Sequence, residues 1–191
     1  MKHFLLLSLL VSFQLAAGAR LACAQNTVWL SPAQTAPHGS APGMKVQLLS
    51  GDAAEKTYAV IFAAGDDAYS GLYEFARQYH VTAAHFTAIG ALSGARLAWF
   101  DPTRKMYRQT TLHRQIEVLS MVGDIALSNE KPAVHAHMVV GLPDGATRGG
   151  HVLEADVCPT LEVMVTVESN AMHRIPDPVS GLTLIDPSAA Q

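Results

Sequence analysis

Cysteine is nearly absent from this chain. Its 191 residues include two, Cys23 and Cys158. The first falls in a segment that reads as a removable leader, and a single remaining cysteine cannot close an internal disulfide. Stability must therefore come from packing, with help from oligomerisation or a metal. Charge is also scarce, at 15% of residues, and no long run of one sign occurs. With 49% hydrophobic residues, the bulk of the chain is not a disordered polymer, and the length suits one domain with a core of its own. The sequence contains no phosphate-cradling G-x-x-x-x-G-K loop, no G-x-S-x-G nucleophile turn, no G-x-G-x-x-G dinucleotide turn and no C-x-x-C pair. The usual short signatures of nucleotide, serine-hydrolase and zinc-ribbon chemistry are thus missing.

The opening "MKHFLLLSLLVSFQLAAGARLACAQ" has a basic start, an apolar run from Phe4 to Ala17 and small residues before Gln25. This is the layout of a secretory signal peptide over residues 1–24. The run falls short of the ~20 apolar residues of a membrane span, so no span is expected in the mature protein, and a secreted or periplasmic location is expected. Cleavage would remove Lys2 and Arg20 and no acid. Lys plus Arg would fall from 13 to 11 against 16 acids, and the net charge from −3 to −5. An acidic domain is a poor match for nucleic acid, whose affinity rests largely on Lys and Arg at phosphates.

Residues 25–43, rich in Pro, Ala, Ser and Gly, read as a mobile lead-in, and residues 44–170 as the folded domain. Strands are expected at 44–50 and 56–64. Leu72, Phe75, Ala76 and Tyr79 then follow helical spacing, which predicts the main helix over 68–79, capped by Asp66 or Asp67. Further strands are expected at 82–92 and 95–101, at 106–112, at 116–127 with a bulge at Gly123, and through "AVHAHMVV", the run to Val157 and 161–168. The tail over 171–191 is expected to wrap the surface. One helix among hairpin-linked strands gives an α+β class with a mostly antiparallel sheet.

Histidines stand out in "PAVHAHMVVGLPDGATRGGHVLEADV" (132–157). Alternation puts His135 and His137 on one face of their strand. Leu142-Pro143-Asp144-Gly145-Ala146 suits a three-residue hairpin loop: proline at the first turn position, aspartate next, and glycine in the left-handed position. Pairing Leu142 with Ala146 brings His137 opposite His151, with Cβ atoms about 4.5–5.5 Å apart and His135 on the diagonal. A two-residue Asp144-Gly145 loop would turn His151 to the other face, and a bulge at Gly149-Gly150 would also shift it. Three converging imidazoles suit a transition metal, zinc first and copper, iron or nickel as alternatives, with one coordination position left open. The competing reading is a polar face on which the rings bond each other or the backbone. His85, Glu154 and Arg148 are candidates to support the site: His85 as a fourth ligand or neighbour of the ligands, Glu154 as a base, Arg148 as an anion contact at its mouth.

The blocks "AIGALSGARLAWFDPTRKMY", "EVLSMVGDIAL" and "KPAVHAHMVVGLPDGATRGGHVLEADVCPTLEVMV" resemble the plants-and-prokaryotes conserved (PPC) domain from about Tyr58 to Glu168. The resemblance implies an α+β domain that assembles as homotrimers, with a metal held in prokaryotic members by the histidines that here are His135, His137 and His151. Plant members carry AT-hooks and act on DNA; this chain has no Arg-Gly-Arg-Pro hook. The reading is an exported, trimeric, metal-binding protein with a small-molecule or protein ligand. The alternatives are a metal-dependent hydrolase or lyase, which needs a base near the metal, and a DNA-binding regulator.

Overall fold

The structure, a computed structural model, describes residues 27–52 and 54–190; the leader expected at 1–24 lies outside them. Among the described residues, ten strands and one α-helix make up the α+β fold. They are β1 (Trp29–Leu30), β2 (Lys45–Gly51), β3 (Glu55–Ala63), α1 (Ala68–Gln78), β4 (Ala83–Asp101), β5 (Met106–Leu112), β6 (Ile116–Ser128), β7 (Lys131–Gly141), β8 (Thr147–Glu168), β9 (His173–Pro176) and β10 (Thr183–Ile185). The sheet runs β1-β5-β4-β6-β7-β8-β3-β2, and β8 pairs with β4 as well. That extra pairing closes β4, β6, β7 and β8 into a ring. All its pairings are antiparallel except the short β6–β9 contact. No helix among the described residues is long and apolar enough to cross a membrane.

The helix begins where Asp67 accepts hydrogen bonds from the backbone N–H groups of Tyr69 and Ser70, two donors that otherwise have no partner in a first turn. Asp67 also accepts from the N–H of Ala155 in β8, so the cap ties helix to sheet. Leu72, Phe75 and Ala76 are fully buried and share a core with Phe62, Phe86, Leu161 and Val163. Burial of each large side chain contributes about 1.5–3 kcal/mol.

Several expectations are corrected. The strands read at 82–92 and 95–101 are one strand, β4. Gly90, at φ 149°, and the shifts in pairing around it bend the strand without ending it. In the same way β8 runs unbroken from Thr147 through Pro159 to Glu168. Gly123 is not a bulge: it pairs regularly with Phe86 and Ala136, and the shift lies between Val118 and Ser120. Gly123 answers a steric need, since a Cβ there would stand 2.3 Å from both the His135 carbonyl oxygen and the Phe86 ring. The two flanks also join the fold. In the segment read as a lead-in, β1 pairs with β5; in the tail, β9 pairs with β10 and, in parallel, with β6.

Candidate metal centre

The β7–β8 hairpin sets the site. The Leu142 N–H donates to the Ala146 carbonyl at 2.8 Å and the Gly145 N–H to the Leu142 carbonyl at 2.9 Å. Gly145 takes φ 79°, the left-handed region that glycine enters without steric cost. This is the three-residue loop, and the register follows: His137 pairs with His151 and Gly141 with Thr147. His135 lies two residues along the same face. Ring centroids are separated by 5.0 Å for His135–His137, 5.2 Å for His135–His151 and 5.5 Å for His137–His151. One nitrogen from each ring lies within 4.8 Å of the others. The three histidines therefore form a cluster capable of coordinating a metal ion.

The rings differ in exposure. His137 is exposed, His135 half-buried, and His151 buried at 8%. Tyr107 of β5 stacks on His151, at 4.9 Å between centroids and 20° between planes. Burial, reinforced by the neighbouring His135 and His137, pushes the pKa of His151 down to about 3. Burial, followed by the charge of His135, also lowers that of His137. Both rings are thus neutral at ordinary pH, the form that offers a lone pair to a metal. Nδ1 of His151 is buried with no hydrogen-bond partner among the described residues. Such an orphaned nitrogen is costly in a folded protein, and an ion among the rings would give that imidazole a role. The donor set fits a transition metal.

Two residues not singled out in the sequence complete the surroundings. Asp124, on β6, pairs in register with His135, and its Oδ2 lies 3.5 Å from His135 Nδ1. A proton on Nδ1 facing that carboxylate leaves the lone pair on Nε2. The Nη2 group of Arg174, from β9, donates to Asp124 Oδ1 at 2.5 Å. Burial pushes the Asp124 carboxyl up, but hydrogen bonds and charge from His135 and Arg174 outweigh it and hold the group below the usual carboxylate range. The polar residue in the apolar strand "EVLSMVGDIAL" was a readable signal for Asp124. Arg174, in an irregular tail, carried none.

The other sequence candidates lie elsewhere. His85 is exposed and faces Glu168 at 3.6 Å. Glu154 is bonded by Arg96 Nε across β4 and β8. Arg148 is exposed, and its Nη1 donates to the Thr147 carbonyl. None is hydrogen-bonded or ion-paired to the cluster: His85 shares the face of Asp124, its cross-strand partner, but turns to Glu168, while Glu154 is held by Arg96 and Arg148 lies on the opposite parity of β8 from His151.

Comparison with known proteins agrees with the fold. A family model described as the Plants and Prokaryotes Conserved (PCC) domain matches residues 49–169. A metal-containing protein from Archaeoglobus fulgidus is 30% identical with a TM-score of 0.65, over 74% of this chain and 98% of that one. A protein from Ralstonia eutropha with a provisional DNA-binding description is 32% identical, TM-score 0.64, over 68% and 90%. One from Bacteroides thetaiotaomicron, similarly described, is 25% identical, TM-score 0.70, over 75% and 96%. Among curated proteins, the bifunctional protein GlmU of Synechococcus sp. (strain JA-3-3Ab) is 29% identical over 148 residues, which is 76% of this chain and 22% of that protein. The chain thus spans about a fifth of that relative's length.

Proposed function

This chain belongs to the Plants and Prokaryotes Conserved domain family, and from its site we propose that it is a metalloprotein whose resident ion is held by His135, His137 and His151. The observation that carries the reading is the convergence of three ring nitrogens within 4.8 Å of one another on a rigid hairpin. The low pKa of His151 and the Asp124 carboxylate behind His135 support it, because proton competition is weak and one ring is pre-oriented. A likeness to a metal-containing archaeal protein points the same way. We assign zinc as the ion, since three imidazoles and an open fourth position are an ordinary zinc donor set. When bound, such an ion supplies a Lewis-acidic position for a ligand atom.

The ion serves ligand binding in this reading. A hydrolase or lyase needs a free base beside the metal; Glu154 and His85 are engaged elsewhere, and Asp124 is committed to His135 and Arg174. The DNA-binding description of two relatives is not carried over: the chain has 13 Lys and Arg against 16 acids. We further propose export, on the strength of the first 24 residues, and assembly as a homotrimer. The exposed apolar side chains Ile89, Leu119, Val122, Val139 and Met164 across β4, β6, β7 and β8 support assembly, since exposed apolar area on a sheet favours a partner. Light scattering of the purified protein should give three chains per particle, and the N-terminus of exported protein should lie near Gln25. Elemental analysis tests the metal: wild type should carry one ion per chain and His151→Ala close to none, whereas equal content in both would remove the assignment.

A further inference from the structure

Beside the histidine cluster lies a cavity of about 380 Å³, within the range of small-molecule sites. His135 and His151 form part of its wall, so the cavity and the metal centre share two side chains. Much of the rest comes from outside the family-matched stretch 49–169. Pro32, Ala33 and residues 35–37 line one side, and Arg174 and residues 182–184 another. The flanks of this chain therefore enclose a space next to the family's metal site.

The wall is chemically one-sided. It is largely apolar and aromatic, with Tyr69, Tyr73, Tyr107, Leu182 and Leu184 prominent. It holds one arginine and no aspartate or glutamate among the described residues. The Arg174 side chain is only 8% exposed. Its Nη1 donates to the Thr183 carbonyl at 3.2 Å and its Nη2 to Asp124, while Nε has no partner. A guanidinium has five N–H donors, so most of this one's capacity is unmet, and an unmet buried donor is costly. Charge gives the same direction. Arg174 and Asp124 cancel, but three neutral rings do not cancel a divalent ion, so the loaded site keeps an excess of positive charge facing a wall without acids.

We infer that the cavity binds a small organic monocarboxylate with an aromatic or branched apolar body, its carboxylate between the metal position and Arg174 and its body against the tyrosines and leucines. This rests on the metal reading above and names the ligand class of that site. A single arginine is suited to a planar carboxylate, and the largely apolar, aromatic wall suits an organic body rather than inorganic phosphate.

The test is calorimetric titration of benzoate, phenylacetate and isovalerate into the zinc-loaded full chain, with neutral benzamide as control. At least one acid should bind, and benzoate at least tenfold tighter than benzamide. Arg174→Gln, with metal content and circular dichroism checked, should weaken the acid at least tenfold, and Arg174→Lys less. Ala33→Trp, which fills the cavity from the flank and leaves the histidines alone, should abolish binding while zinc content stays at wild-type level. The inference is overturned if no acid binds a chain that holds one zinc, if benzamide binds as well as benzoate, or if Ala33→Trp binds like wild type. A chain without zinc that still binds benzoate through Arg174 would support the anion site and overturn the metal reading alone.

Discussion

Replacing Asp124 by alanine removes the carboxylate 3.5 Å from His135 Nδ1 and the partner of a guanidinium that is only 8% exposed. Two consequences follow, and they can be separated. The His135 ring loses the group that fixes its tautomer and orientation, which typically weakens a metal site 10–100-fold, or about 1.4–2.8 kcal/mol. Arg174 becomes an uncompensated buried charge, which costs up to about 3–5 kcal/mol for a fully buried pair and less here, because Asp124 keeps a quarter of its surface exposed. Zinc affinity is read by competition with a chromophoric chelator, and stability by thermal melts with and without zinc. At a zinc concentration 1,000 times the wild-type Kd, binding stabilises the wild type by about 4 kcal/mol; a site ~30-fold weaker gains only about 2 kcal/mol at the same concentration. Asp124→Asn, which keeps an acceptor oxygen, should fall between wild type and alanine. If folded Asp124→Ala binds zinc as tightly as wild type, the carboxylate does not orient the ligand and the reasoning fails.

Three further outcomes are expected. With metal removed, His151 is neutral when folded, at a pKa of about 3, against about 6.5 when unfolded. The unfolded chain therefore takes up a proton first, so stability is kept above pH 6.5 and lost progressively below it. Denaturation midpoints should show a loss of about 1.6 kcal/mol between pH 6.5 and 5, and His151→Gln should flatten that slope. Gly123→Ala places a methyl group 2.3 Å from the His135 carbonyl and the Phe86 ring; urea denaturation should show about 1–3 kcal/mol of destabilisation, with weaker zinc binding because β7 carries two ligands. Leu72→Ala, at a fully buried helix position, should cost about 2–5 kcal/mol while the folded fraction keeps its metal.

The hairpin was legible because its loop chemistry is local. Pro143, Asp144 and Gly145 allow few backbone paths, and strand alternation then leaves one place for His151. The helix was legible for a similar reason: Leu72, Phe75 and Ala76 repeat on one face and Asp67 stands at the cap. What escaped depended on distant parts of the chain. Nothing near Ser93 and Gly94 tells that β4 continues through them, because its course there is settled by pairing with β8 and β5. Gly123 looked like a bulge in its own strand, but its reason lies across the sheet in Phe86 and His135. His85 stands beside Asp124 across β4 and β6 but turns to Glu168, and Glu154 and Arg148 were near the site only in sequence. The residue that completes it from farthest away, Arg174, arrives through a short parallel contact of β9 with β6, which no hydrophobic period announces.

X-ray absorption at the zinc edge on the purified, zinc-loaded chain reads the coordination of the ion itself. Three histidine ligands should give a first shell of nitrogen and oxygen at about 2.0–2.1 Å with the scattering pattern of three imidazoles, reduced to two in His137→Ala. A sulfur shell at about 2.3 Å, which would bring in Cys158, or a spectrum unchanged by removing His137, would contradict the three-histidine site.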